Sequence, residues 1–152
     1  MKKNLQRRFM ETEGTTVEYE GLTVHSAIFR EVNRPGRFIV RFIEYFDEPI
    51  QGLSIEIDPG MLLISGTESP QMILRLDTSP EVVEVHYRPS GPGCKIWLHN
   101  SWINEDGGVD AWLQHAGMLV EESENKVILR CSDGTMAPTF DDMVVEIEFL
   151  DD

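Results

Sequence analysis

Cysteine and positive charge are both scarce in this chain. Its 152 residues include 2 cysteines, Cys94 and Cys131, and their separation matches neither a zinc-binding pair nor a C-x-x-C redox motif. A framework of several disulfides is therefore excluded, and two free thiols in a reducing, cytoplasmic compartment are expected. Long apolar runs are missing as well. The longest, Met61 to Ile64, has four residues, whereas a membrane-spanning helix needs about 20. The basic stretch carrying Lys2, Lys3, Arg7 and Arg8 leads into no apolar segment, so no secretory leader is expected.

Lysine and arginine number 13 against 27 aspartates and glutamates, a formal charge of −14. The imbalance is uneven. Residues 1–46 carry 8 basic and 6 acidic side chains, while residues 47–152 carry 5 basic and 21 acidic ones. A field of that sign repels nucleic-acid phosphates and anionic lipid, so neither nucleic acid nor membrane is an expected partner. It suits a basic protein partner, and it also keeps a protein soluble without any partner.

Length and a hydrophobic content of 41% predict one domain over residues 1–152, with residues 1–13 as a flexible basic arm. Along the chain, short alternating segments are separated by Gly, Pro, Asn and Asp. Strands are predicted over 15–20, 22–30, 37–46, 53–57, 61–65, 71–76, 82–87, 94–99, 118–122, 126–131 and 143–150. Val145, Ile147 and Phe149 share one face of the last of these, with Glu146 and Glu148 on the other. The segments at 82–87 and 94–99 read as a hairpin across Pro89-Ser90-Gly91-Pro92-Gly93, and those at 118–122 and 126–131 as a hairpin across Ser123-Glu124-Asn125. Asp110 and Gly117 look like the cap and terminator of one short helix over 111–116. The expected fold is all-β: an antiparallel two-sheet sandwich or barrel of about ten short strands with that single helix.

Catalytic motifs are absent: no phosphate-cradling loop, no G-x-S-x-G elbow, no H-E-x-x-H and no complete calcium loop. No cofactor is expected, and an enzyme is not favoured. Chemistry-bearing residues concentrate between Ile96 and Ala116. All three tryptophans, Trp97, Trp102 and Trp112, lie there beside His99, Asn104, Glu105, Asp106, Asp110 and His115. Indole faces next to Asn, Asp and Glu suit a protein anchor or a sugar groove, and indoles also fill cores. The binding residues expected are Trp102, Asn104, Glu105, Asp106, Asp110 and Trp112.

Other constellations weigh less. His86, His99 and His115, with Asp106 or Asp110, would make a metal site if strand register brought them together. Asn104, Asp106 and Asp110 resemble part of a calcium loop but lack its terminal bidentate Glu, and a turn before a helix cap accounts for them. Cys94 has no orienting third group for nucleophilic catalysis. Glu146 and Glu148 share a face, as charges do on any half-exposed strand, and residues 121–152 carry 10 acids and 2 bases. The expected function is a non-enzymatic acidic binding protein, immunity- or inhibitor-like, taking a basic protein partner. The alternatives are a small-ligand or carbohydrate-binding sandwich built on the 97–112 segment and, behind it, a metal-dependent barrel enzyme. Homo-oligomerisation is compatible with each.

Overall fold

The computed structural model describes residues 4–12, 14–135 and 137–150. Its elements run α1 (Leu5–Met10), β1 (Thr16–Tyr19), β2 (Leu22–His25), β3 (Ile28–Glu31), β4 (Gly36–Tyr45), β5 (Ile50–Asp58), β6 (Gly60–Ile64) and β7 (Thr67–Ser69). They continue with β8 (Gln71–Arg75), β9 (Val82–Pro89), β10 (Lys95–Ile103), β11 (Val109–Asp110), β12 (Gly117–Glu122), β13 (Lys126–Ser132) and β14 (Met143–Leu150). Two antiparallel sheets form. The larger has the order β1-β2-β12-β13-β14-β4-β9-β6-β7. The smaller has the order β11-β10-β5-β8, with β3 also paired to β10. The protein is a sandwich and not a closed barrel.

Period-two patterning decides which residues meet between the sheets. From the larger sheet come Phe38 and Val40 of β4, Val83 and Val85 of β9, Leu129 of β13 and Val145, Ile147 and Phe149 of β14. Facing them are Leu53, Ile55 and Ile57 of β5 with Ile96 and Leu98 of β10. Each such side chain contributes about 1.5–3 kcal/mol on leaving water. Chain crossings between sheets are tight. β5 passes into β6 through Pro59 alone, and a Cβ on Gly60 would lie 2.5 Å from the Arg88 carbonyl oxygen, so the corner admits only glycine.

Three expectations need correction. Residues 111–116 are not helical: Trp112 and Gln114 have φ of +59° and +43°, outside the helical region. Tertiary bonds hold them there. The Gln114 carbonyl accepts from Gln6 N–H at 2.8 Å, and Gln114 N–H donates to Gln6 Oε1 at 2.8 Å. The short helix is α1, where Asn4 Oδ1 caps Arg7 N–H at 2.9 Å and straight-chain residues favour helix. It occupies part of the segment expected as a flexible arm. Its Leu5 is buried with Val24 and Phe140, and residues 1–3 and 13 of that segment lie outside the described residues.

The second correction concerns β9 and β10, which are not a hairpin. β9 pairs with β4 and β6, and β10 with β5, β3 and β11. The loop between them crosses from one sheet to the other, tied by Ser90 N–H to the Pro59 carbonyl at 3.0 Å and by Val32 N–H to the Cys94 carbonyl at 3.0 Å. Both strands therefore point their apolar residues inward from opposite layers. Thirdly, strands are more numerous than expected and several are longer: 22–30 splits into β2 and β3, residues 67–69 pair with β6 as β7, and β5, β9 and β10 run past the ends expected at 57, 87 and 99. The hairpin of β12 and β13 forms as expected, with Glu122 opposite Val127. No helix among the described residues is long and apolar enough to cross a membrane.

Candidate functional site

The interior changes character at one end. On β5, Gln51 continues the inward row of Leu53, Ile55 and Ile57, and on β10, Asn100 and Trp102 continue the row of Ile96 and Leu98. Register places Gln51 opposite Trp102. Apolar packing thus gives way to buried polar groups. Gln51 Nε2 donates to Asp133 Oδ2 at 2.8 Å and to the Pro49 carbonyl at 3.1 Å. Asp133 Oδ1 accepts from Thr135 N–H at 2.9 Å and from the Thr135 hydroxyl. Asp142 Oδ2 accepts from Asp133 N–H at 2.9 Å. Asn100 Nδ2 donates to the Ser132 carbonyl at 2.9 Å, and Ser132 Oγ accepts from Thr139 N–H at 3.0 Å and Phe140 N–H at 2.6 Å. This network fixes residues 133–135 and 137–142 over the end of the sandwich. Gly134 lies so close to Trp102 that a Cβ there would be 2.8 Å from the ring.

Outside this lid lies a cleft of about 600 Å³, lined by Asp47, Glu48, Pro49, Ile50, Trp102, Ile103, Asn104, Glu105, Asp110 and Thr135. One rim is the turn between β4 and β5. The other is the loop between β10 and β11. Asn104 organises that loop from within: its Oδ1 accepts from Asp106 N–H and Gly108 N–H, each at 3.0 Å, while its Nδ2 donates to Asp110 Oδ1 at 3.3 Å. Gly107, at φ +83°, takes the left-handed position that such a tight turn requires. Asp110 pairs with Trp102 as β11; it caps no helix.

Four of the six expected binding residues therefore share one cleft: Trp102, Asn104, Glu105 and Asp110. Asp106 is at the exposed tip of the loop and does not line it. Trp102 belongs to β10, not to a loop, and is 3% exposed, so it forms the inner wall and offers no free face. Trp112 lies elsewhere, against His99. Sequence reasoning missed Asp47 and Glu48, although an acidic pair before a proline at a strand end is a visible rim signal. Thr135 carried no local signal.

Charge is the distinctive feature of this cleft. Its lining holds four carboxylates and no Lys, Arg or His, and among the described residues none of the four forms an ion pair. The remaining candidates separate. His86 lies on β9 beside Glu84 at 3.6 Å, whereas His99 lies on β10 in the other sheet. Among the described residues no three His, Cys, Asp or Glu side chains are grouped to hold a metal ion. Cys94 and Cys131 are buried and unpaired, and burial raises the pKa of both thiols, strongly for Cys131. Glu146 and Glu148 are ion-paired with Lys126 and Arg41. Set against known proteins, no family model matches the chain, and neither curated proteins nor solved structures give a match.

Proposed function

We propose that the protein is a non-enzymatic binding protein of the cytoplasm, immunity- or inhibitor-like, that captures a basic protein partner in this cleft. The carrying observation is the lining: Asp47, Glu48, Glu105 and Asp110 surround an apolar wall of Pro49, Ile50, Trp102 and Ile103 with no cation among them. An arginine or lysine from a partner supplies the missing charge, and its aliphatic stem packs on the half-buried Pro49 and Ile50. Carboxylates on a rim accelerate encounter more than they tighten the final complex. The polar lid behind Trp102 keeps the wall rigid, so little conformational freedom is lost on binding. Two buried, unpaired thiols support a reducing compartment.

The test uses an alternating Arg-Ala peptide as probe. Its affinity is measured at low and high salt for the native chain, for the variant D47N/E48Q/E105Q/D110N, and for a charge-matched control, E81Q/E122Q/E124Q/D141N. The expected result is about tenfold weakening in the cleft variant, with little change in the control. Equal weakening in both variants, or affinity indifferent to salt, rejects the cleft as the binding surface.

A further inference from the structure

The outer face of the smaller sheet carries aromatic rings that the acidic cleft does not use. On β10, Lys95, Trp97 and His99 point away from the core while Ile96 and Leu98 point in. Phe29 of β3 stands opposite Trp97 in register, their ring centroids 4.9 Å apart at 42°. Two residues further along β10, a step of about 7 Å, His99 contacts the ring of Trp112 at 4.3 Å and 36°.

Trp112 is held in place without being buried. It is 50% exposed, yet its indole N–H donates to the Ser26 carbonyl at 2.9 Å, and its φ of +59° is a conformation that bulky residues rarely adopt. Strain of this kind costs on the order of 1–3 kcal/mol and gathers where a side chain must be presented in one orientation. Beside the ring is a groove of about 200 Å³, lined in part by Ser54, Glu56, Gln71, Ile73, His99 and Trp112. Register fixes its floor: His99, Ser54 and Ile73 form one row across β10, β5 and β8, and Glu56 and Gln71 fall in the next.

The donors and acceptors of the groove are defined. His99 Nδ1 lies 3.0 Å from the Asn100 carbonyl oxygen, which can only accept. Nδ1 therefore carries the hydrogen and Nε2 the lone pair in the neutral ring. Burial lowers the His99 pKa, which keeps the ring neutral at pH 7. Glu56 accepts and Gln71 can donate and accept, while the Ser54 hydroxyl donates to Ser101 Oγ at 3.0 Å and keeps only acceptor capacity. No Lys or Arg lines the groove. Its volume is below the roughly 300–1,000 Å³ of drug-sized pockets, too small for a folded peptide segment and suited to one small ring.

We propose that this groove binds a neutral sugar ring, stacked on Trp112 with its hydroxyls bonded by Glu56, Gln71 and His99; the Phe29–Trp97 pair is already covered by Lys95, whose Nζ lies 4.7 Å and 6.0 Å from the two ring centroids, and stays outside the site. A sugar presents both a C–H face for the indole and hydroxyl donors for the acceptors. An anionic ligand meets Glu56 and the protein's negative field. The groove shares no lining residue with the acidic cleft, so the two assignments stand or fall separately.

The experiment titrates the full chain with glucose, mannose, galactose and cellotetraose, following the three indole N–H resonances by NMR, with Trp112 assigned through W112F. At least one sugar is expected to give a saturable shift that is largest at Trp112, leaving Trp102 unmoved. W112A should weaken that binding by about tenfold, the scale of a good aromatic contact. E56Q, an exposed change that leaves the fold intact, should weaken it several-fold. The proposal is overturned if no sugar moves the Trp112 resonance at millimolar concentration, if glycerol moves it equally, or if both variants bind as the native chain does.

Discussion

Carboxylates on the sheet faces and carboxylates around the cleft have different surroundings. On the sheets, Glu84, Glu148, Glu146, Glu121 and Glu68 each meet a cation: Arg37, Arg41, Lys126, Arg130 and Arg88. Four of these pairs join neighbouring strands, which lie about 4.8 Å apart, while Arg88 of β9 reaches Glu68 of β7 across β6. Around the cleft, Asp47 and Glu48 come from the β4–β5 turn, and Glu105 and Asp110 from the β10–β11 loop and the strand that follows it, with no basic residue in either segment. In the first set the negative field is neutralised internally. In the second it is projected outward, which is why a partner is sought at the cleft and not on the more acidic-looking 121–152 stretch.

That contrast can be tested from its strongest element downward. Asp133 is buried, holds Gln51 and Thr135, and among the described residues forms no ion pair. Asp133→Ala removes one of the two acceptors of Gln51 Nε2, leaving the Pro49 carbonyl, and releases the lid over Trp102, so a loss of about 2–3 kcal/mol is expected in urea unfolding; an unchanged midpoint would show that the lid is not held by this network. The fourfold cleft variant should slow association with the Arg-Ala peptide by about tenfold, while unfolding shows no loss of stability, because none of the four charges has a cation partner among the described residues and D110N keeps an oxygen to accept from Asn104. A clear drop in its stability would mean that the cleft acids, like the sheet acids, hold the fold together. Glu148→Gln removes the 3.0 Å contact to Arg41 and should cost about 0.5 kcal/mol, with no effect on peptide binding.

The smallest effect concerns Asp142, whose pKa is raised by burial and by the nearby charges of Asp133 and Asp141, against the bond from Asp133 N–H. A folded-state pKa above the unfolded value of 3.8 means that the folded chain holds its proton more tightly. The resulting stabilisation is full below pH 3.8 and fades as pH rises through the folded pKa. His99 acts in the opposite sense. Its lowered pKa makes stability full above pH 6.5 and lost as pH falls from there toward the folded value. Unfolding of D142N and H99Q across pH 3–7 should each remove one of these slopes, and parallel curves for native and variant chains would refute the assignment.

Much of the strand content was legible because alternation survives without tertiary help. β14 was readable to the residue, and the β12–β13 hairpin followed from its short polar turn. What was not legible depends on distant partners. Gln51 and Asp133 are 82 positions apart, and nothing local to either announces the other. The Asp110…Gly117 pattern reads as a helix cap and terminator, but pairing with Trp102 and bonds to Gln6 outweigh that local preference. Trp102 and Trp112 look equivalent in the sequence. Strand parity buries the first and a left-handed turn exposes the second.

The position of β4 also bears on how the chain reaches this structure. It lies within the larger sheet with β9 on one side and β14 on the other, so its neighbours are residues 82–89 and 143–150. During synthesis, residues 36–45 emerge long before either flank exists, with both edges open and Phe38, Val40 and Phe42 uncovered. Assembly that waits on such distant pairings proceeds on a scale of about milliseconds to seconds. Until β14 arrives, the nascent chain presents a sticky strand of the kind that chaperones hold.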